Sequence, residues 1–169
     1  MAYIKRKPLR IANYDYNSNG VYFLTFCTRN REKLLGNVVG DGDLDVPQVQ
    51  LSDYGKVVDQ YVQSVDRLHY AKLLHYVVMP NHFHAILEIF RADMESAPTV
   101  MEIVQSFKRH AVVEYIRAVK EKILPPFEGT IWQRSFYDHV IRNEEDYRRI
   151  AYYIENNPLA WELDELYIK

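Results

Sequence analysis

Two histidines, His82 and His84, are separated by one residue in a segment with the composition of a β-strand. Residues two apart in a strand point to the same face of a sheet, so the two imidazoles would lie side by side. Such a pair can bind one divalent cation, provided that further ligands converge on it. The alternative is a pair of surface or partly packed histidines, which this spacing also produces by chance.

A second candidate group lies in the segment 152–158, where two tyrosines each precede an asparagine by four residues. At about 100° per residue, Tyr153 and Asn157 lie at the border of the apolar side of a helix, whereas Tyr152 and Asn156 face away. We therefore predict that only Tyr153 and Asn157 look toward the sheet. The alternative is a boundary tyrosine and an asparagine that ends the helix before a proline.

A tyrosine above two metal-binding histidines suits phosphoryl transfer through a covalent phosphotyrosine. A tyrosine with a pKa of about 10 is a poor nucleophile at neutral pH, and a cation that polarises the phosphate addresses that weakness. Asn157 would supply a third, neutral oxygen ligand. Oxygen ligands mixed with imidazole favour Mg²⁺ or Mn²⁺ over structural zinc, with Mn²⁺ somewhat preferred.

Hydrophobic periodicity predicts the elements that position these residues. Strands are expected at 21–28, 71–79, 82–90 and 131–141, helices at 52–68, at 100–119 and from Asn143 toward Pro158, and a loop or short hairpin at 36–49. This order predicts an α+β fold, a ferredoxin-like split βαβ sandwich whose antiparallel sheet has helices on one face plus a C-terminal tyrosine-bearing helix. We expect a single domain over 1–169, with an N-terminal arm at 1–20 and the tyrosine helix within 143–160.

Composition excludes several classes of protein. The 169 residues are 48% hydrophobic, which is too apolar for a disordered chain, and no apolar run is long enough to span a membrane. A single cysteine excludes an intramolecular disulfide framework, and the first residues lack the apolar stretch of a signal peptide. The expectation is a soluble, cytoplasmic protein.

The net charge of −2 and the pI near 6.3 do not by themselves predict a polyanionic partner. The charge is uneven, however, because residues 1–35 carry seven basic and two acidic side chains. A nucleic-acid surface would use this arm and local basic clusters: Lys5, Arg6, Lys7, Arg10, Lys108, Arg109, Arg148 and Arg149.

A second surface is suggested by the segment 131–141. On a strand, Trp132, Arg134 and Arg142 share one face and would form a surface for base stacking and phosphate contacts. A packed tryptophan with arginines paired to nearby acids is an equal alternative. His110 and His139 are not expected to be ligands.

Four blocks, in this order along the chain, resemble the REP-associated tyrosine transposases, a branch of the single-tyrosine HUH transposases. The first block has two parts, NYDY from residue 13 and GVYFLT from residue 20. The other three are YVVMPNHFH from residue 76, WQRSFYDHVIR from residue 132 and YIENNP from residue 153. The resemblance extends along nearly the whole chain. Insertion-sequence relatives carry glutamine where this chain has Asn157, so asparagine favours the REP-associated branch.

The resemblance implies an enzyme that cuts single-stranded DNA next to a hairpin and transfers the strand. His82 and His84 would hold the divalent metal, Tyr153 would form a 5′-phosphotyrosine and free a 3′-hydroxyl, and Asn157 would complete the metal site. Related transposases include dimers in which the tyrosine helix of one subunit serves the other, so a homodimer is a possible partner state.

Two other classes remain open from sequence. One is a domesticated DNA-hairpin-binding protein without turnover, which the acidic charge balance mildly favours. The other is a ferredoxin-like regulatory or small-ligand domain in which the His-X-His spacing is fortuitous, although four ordered blocks argue against it.

Overall fold

The computed structural model describes residues 19–40, 46–90 and 98–168. The strands and helices follow one another in the predicted order, with a short hairpin inserted after the first strand. The elements are β1 (Gly20–Cys27), β2 (Gly36–Val39), β3 (Gln48–Leu51), α1 (Asp53–Gln63), β4 (Ala71–Met79), β5 (His82–Ile89), α2 (Val100–Lys120), β6 (Tyr137–Ile141) and α3 (Glu144–Asn156).

The main sheet has the strand order β4-β5-β1-β6, and every neighbouring pair is antiparallel. This arrangement confirms the predicted α+β class with a split βαβ topology. The separate β2–β3 hairpin lies in the stretch predicted as a loop or short hairpin. No helix in the described part of the chain is long and apolar enough to cross a membrane.

Each helix begins at a side chain that caps its free N–H groups. Ser52 accepts from Gly55 N–H before α1, Thr99 forms a capping box with Glu102 before α2, and Asn143 accepts from the third residue of α3. The first helix is shorter than predicted, because it ends at Gln63 and continues as a 3₁₀ turn over Ser64–Arg67.

The two faces of the sheet are covered by different helices. Leu24, Phe26 and Phe83 belong to the core under α1 and α2, together with Val58 and Val104. On the opposite face, a smaller apolar cluster joins the sheet to α3: Phe23, Ile86, Ile141, Ile150, Ala151 and Ile154. The predicted tyrosine helix therefore packs alone on one face, where alternate residues of β1, β5 and β6 point.

The last strand is shorter than the predicted strand at 131–141. Trp132 forms an isolated bridge with Thr28, which is displaced by two residues from the β1–β6 register that pairs Thr25 with Tyr137. The Lys108 ammonium donates to the carbonyls of Gln133 at 2.8 Å and of Ser135 at 3.1 Å. A side chain thus satisfies carbonyls in the irregular stretch before β6.

Candidate active site

Both histidines of the His-X-His pair lie at the start of β5 and face α3. His82 is fully buried and His84 is 2% exposed, and their ring centroids are 4.5 Å apart. The register pairs His84 with Thr25 and His82 with Cys27 of β1. A turn over Pro80 and Asn81 links β4 to β5, so the pair sits at the edge of the apolar cluster under α3.

The ring orientation of His82 is held by Asn81. Asn81 donates from Nδ2 to the Leu166 carbonyl at 2.8 Å, and its Oδ1 lies 2.7 Å from His82 Nδ1. Because the amide is oriented by its donor end, Oδ1 accepts from Nδ1–H and leaves a lone pair on His82 Nε2. That nitrogen is buried without a hydrogen-bond partner. A nitrogen that is deprotonated and unpartnered is ready to bind a cation.

His84 is held by Thr25, whose Oγ1 lies 2.8 Å from His84 Nδ1. Its other nitrogen, Nε2, lies 3.1 Å from the Tyr153 hydroxyl. The Tyr153 O–H donates to Asp164 at 2.8 Å, so His84 carries its proton on Nε2 and accepts from Thr25 at Nδ1. A threonine hydroxyl also accepts, so Thr25 supports the opposite tautomer, in which Nε2 is free for a metal.

Both imidazoles are neutral at physiological pH. Burial lowers the pKa of His82 to about 4, against a smaller opposing effect of the nearby Asp164 carboxylate. Burial and then the neighbouring His82 hold the pKa of His84 well below its usual range. Neutral imidazoles are the form that binds a metal ion.

The tyrosine predicted to face the sheet does so. Tyr153 is 40% exposed and its hydroxyl touches His84 and Asp164, whereas Tyr152 is 69% exposed. The Tyr153 ring meets the Phe23 ring edge-on, with 6.2 Å between the ring centroids. Burial, followed by the hydrogen bond to Asp164, raises the pKa of the Tyr153 hydroxyl well above its ordinary value. The tyrosine is therefore protonated in this state.

Asp164 is a site residue that sequence reasoning missed. It follows a 3₁₀ turn over Trp161–Leu163, and its Oδ2 accepts from Tyr153 at 2.8 Å and from Asn157 Nδ2 at 2.7 Å. Burial raises the pKa of Asp164, but the hydrogen bonds from Asn157, Leu166 N–H and Tyr153 outweigh it and lower the pKa below its usual range. The only sequence signal was the acidic character of the last residues.

The donor set around the two histidines fits a divalent cation. His82, His84 and Asp164 each offer a ligand atom, and these atoms lie within 4.8 Å of one another. Asn157 is 1% exposed, and its Oδ1 is buried without a partner, as is His82 Nε2. Two buried polar atoms without partners in one small space are costly unless a ligand satisfies them.

The buried histidines predict a fold that is sensitive to acid when no metal is added. Between pH 6.5 and about 4 the unfolded chain binds a proton at His82 that the folded chain does not, so stability is lost as pH falls. From pH 7 to pH 5 we expect His82 to cost about 2 kcal/mol of unfolding free energy. Urea unfolding of the wild type and of His82→Gln, each at both pH values, measures this; equal pH dependence in the two proteins would contradict it.

The predicted DNA-contacting residues have several outcomes. Lys5, Arg6, Lys7 and Arg10 lie outside the described residues. Trp132 is not available for base stacking, because it is 5% exposed and packs among core aromatic rings, with Phe107 at 5.8 Å and Phe83 at 6.1 Å. The slip in register before β6 turns this ring toward α1 and α2.

The Lys108 ammonium likewise makes its contacts inside the fold. Beyond its two carbonyl acceptors, its ammonium lies 5.6 Å from the centre of the Phe26 ring, and burial lowers its pKa to about 8. The Lys108 ammonium therefore points into the fold, and its predicted phosphate contact stays a prediction. Arg109, Arg134 and Arg142 are exposed. None of the three lines the groove that β6 and α3 form beside the Tyr153 hydroxyl.

The split βαβ sheet carries a His-X-His pair beneath a tyrosine-bearing helix, as expected for a tyrosine transposase. Comparison with known proteins agrees with this class of protein. The chain belongs to the IS200-like transposase family, whose sequence model matches residues 17–157. This membership sets aside the regulatory or small-ligand domain as an alternative.

Individual relatives extend along most of the chain. An uncharacterized protein of Haemophilus influenzae is 32% identical over 96% of this chain and 93% of its own length. A REP-associated tyrosine transposase of Escherichia coli is 25% identical over 85% of this chain and 69% of its own. A solved REP-associated tyrosine transposase bound to a REP hairpin has a similar fold, with a TM-score of 0.56, 24% identity, and coverage of 92% of this chain and 76% of that one.

Proposed function

We propose that this protein nicks single-stranded DNA next to a hairpin and transfers the strand through a 5′-phosphotyrosine at Tyr153, with a divalent cation, Mn²⁺ or Mg²⁺, at His82 and His84. The observation that carries the proposal is the position of the Tyr153 hydroxyl. It lies 3.1 Å from His84 Nε2 and 2.8 Å from Asp164, the carboxylate that groups with His82 and His84. Tyr153 reaches His84 of its own chain, because α3 packs on the sheet that carries the histidines, and this contact supports a site that is complete within a single subunit.

The reaction follows from groups already in contact. The Tyr153 oxygen attacks the phosphorus and the bond between phosphorus and the 3′ oxygen breaks. The 3′ oxygen takes a proton from solvent water and leaves as a 3′-hydroxyl. The proton of Tyr153 passes to the Asp164 carboxylate, to which the hydroxyl donates at 2.8 Å. Asp164 therefore holds the nucleophile in place and is the nearest base for its proton. Because the pKa of Asp164 is lowered and that of Tyr153 is raised, the proton would move only as the tyrosine oxygen bonds to phosphorus.

A cation would be held by His82 and His84 through Nε2 and by the Oδ1 of Asn157. When bound, it supplies a Lewis acid for the scissile phosphate and offsets the charge of the ionising tyrosine. The residues around it do the remaining work. Asn81 and Thr25 orient the imidazoles from behind, and burial keeps both rings uncharged so that their lone pairs are available.

The DNA partner is inferred from relatives. The REP hairpin in the solved transposase complex, together with the family membership, supports hairpin DNA with a single-stranded flank as the substrate class. The basic N-terminal arm and exposed Arg109 would supply phosphate contacts, and these would weaken as salt rises.

Incubation of the purified protein with labelled hairpin DNA and Mn²⁺ tests the proposal directly. A covalent protein–DNA adduct on a denaturing gel, formed only when divalent metal is present, is the expected result. Hairpin binding without any adduct would contradict turnover and favour the domesticated binding protein instead.

Asp164 leads to a separate prediction about metal affinity. Replacing it as Asp164→Asn removes one negative charge with little change in shape, whereas Asn157→Ala removes a neutral oxygen that water can replace. We expect Mn²⁺ affinity to fall by about tenfold or more in Asp164→Asn, and by less in Asn157→Ala. Titration calorimetry with Mn²⁺ measures both. A larger loss in Asn157→Ala would reverse this ranking of the two residues.

A further inference from the structure

A groove of about 650 Å³ opens beside the Tyr153 hydroxyl, and the chemistry described above uses only the end of it that Tyr153, His84 and Asp164 line. One wall is the edge strand β6, which contributes Tyr137 and His139, and the other is α3, which contributes Arg149 and Tyr153. His84 and Asp164 close the end at the candidate metal site. The groove is therefore continuous with the position of the scissile phosphate.

Arg149 lies on the same row of α3 as the nucleophile. Residues four apart on a helix share a face, so Arg149, Tyr153 and Asn157 follow one another at intervals of about 6 Å along the helix axis. That interval is comparable to the separation of neighbouring phosphates along an extended single strand. A strand whose scissile phosphate meets Tyr153 would thus bring an adjacent phosphate to Arg149.

The guanidinium of Arg149 is held in place by an ion pair and keeps free N–H donors. Asp146 accepts from Arg149 Nη2 at 2.5 Å and lies 2.6 Å from His139 Nε2, so one carboxylate links α3 to β6. The Arg149 side chain is 69% exposed, and this ion pair occupies one of its five N–H donors. An arginine fixed at one end and exposed at the other is arranged for a phosphate oxygen.

Tyr137 supplies an aromatic surface on the opposite wall. It is 54% exposed, and its ring meets Phe23 edge-on, at 6.1 Å and 69° between the planes. This edge contact orients the ring. Exposed, oriented aromatic rings beside a basic group are the elements that bind single-stranded nucleic acid without strict sequence preference.

We propose that this groove binds the nucleotide next to the scissile phosphate, with its base stacked on Tyr137 and its phosphate on Arg149. The inference rests on the proposed function, because it needs single-stranded DNA at Tyr153. It adds a substrate-positioning site made by β6 and the first half of α3, and it gives the His139–Asp146–Arg149 cluster a role.

Photocrosslinking tests the base contact in Tyr153→Phe protein, which leaves the DNA uncut. Hairpins with a single-stranded flank carry one 5-iodouracil at successive flank positions, and mass spectrometry locates the crosslink after irradiation. We expect a crosslink at Tyr137 from a position next to the cleavage site. The crosslink should be retained in Tyr137→Phe, which keeps the stacking ring, and lost in Tyr137→Leu, which does not. Crosslinks confined to other parts of the protein would overturn the proposal.

The phosphate contact has a matched control on the same helix. Arg148 was predicted together with Arg149 as one basic cluster, but the structure separates the two side chains. Arg148 is 77% exposed, pairs with Glu144 and is not among the groove residues, so the groove proposal gives it no phosphate contact. Arg149→Gln should weaken hairpin binding about tenfold and make it less dependent on salt, while Arg148→Gln changes neither. Equal effects of the two variants would overturn the phosphate assignment.

The two proposals fail in different ways. If wild-type protein forms the adduct but Tyr137→Leu leaves the crosslink unchanged and Arg149→Gln leaves hairpin binding unchanged, the groove proposal alone is wrong. If the crosslink maps to Tyr137 but wild-type protein never forms an adduct, the groove proposal stands and the proposed nicking is wrong.

Discussion

Replacing the Tyr153 hydroxyl, as Tyr153→Phe, is expected to abolish cleavage of hairpin DNA and the covalent adduct together. The change removes the nucleophile and its contacts with His84 and Asp164, but keeps the ring that packs on Phe23. Loss of a covalent nucleophile lowers turnover by about a thousandfold or more, while loss of one such hydrogen bond costs stability only about 1 kcal/mol. Folding and hairpin binding should therefore survive.

Tyr152→Phe is the internal control for this experiment. Tyr152 is the adjacent tyrosine, is 69% exposed, and lies on the far side of α3. Adduct formation on a denaturing gel and hairpin binding by fluorescence anisotropy should both match the wild type. An adduct that persists in Tyr153→Phe and disappears in Tyr152→Phe would mean that the helix is rotated during catalysis relative to the structure described here.

Removal of either histidine, as His82→Ala or His84→Ala, is the second change with a large expected effect. Each deletes one of the two neutral imidazoles that face the candidate cation site, and a single remaining imidazole binds Mn²⁺ far more weakly. We expect divalent-dependent cleavage to be lost and Mn²⁺ affinity to fall by more than about 100-fold. Cleavage assays across a range of Mn²⁺ concentrations, together with calorimetry, measure both quantities.

A buried histidine also contributes packing, so this test needs two controls. His110→Ala removes an exposed histidine on α2 and should leave metal affinity and cleavage unchanged. Thermal unfolding of the His82→Ala protein reports any cost of the cavity it leaves. Normal Mn²⁺-dependent cleavage by folded His82→Ala would remove the metal assignment, whatever the result for Tyr153.

Short-range regularities carried most of the correct sequence predictions. His82 and His84 share a face because strands have a period of two, and Tyr153 faces the sheet while Tyr152 does not because helices turn about 100° per residue. Both rules act within one element, where the backbone alone relates one side chain to the next. The split βαβ order followed in the same way from successive periodic segments.

Relations between elements were predicted less well. Trp132 and Lys108 were expected on a DNA surface. A two-residue slip in the pairing with β1 instead buries the Trp132 ring, and the Lys108 ammonium donates to backbone carbonyls before β6. Neither a register slip nor a side chain that bonds backbone carbonyls leaves a periodic signal. The residue types were compatible with either outcome.

By itself, then, the sequence determined the class of fold, the paired imidazoles and the side of the helix that bears the candidate nucleophile. Only the tertiary structure decided that Asp164 joins them, because it arrives on a non-periodic turn beyond α3 and is held there by Asn157 and Leu166. That Tyr137 and Arg149 line the same groove was likewise decided by packing. Spacing within an element follows from backbone geometry, whereas the approach of two elements depends on every side chain packed between them.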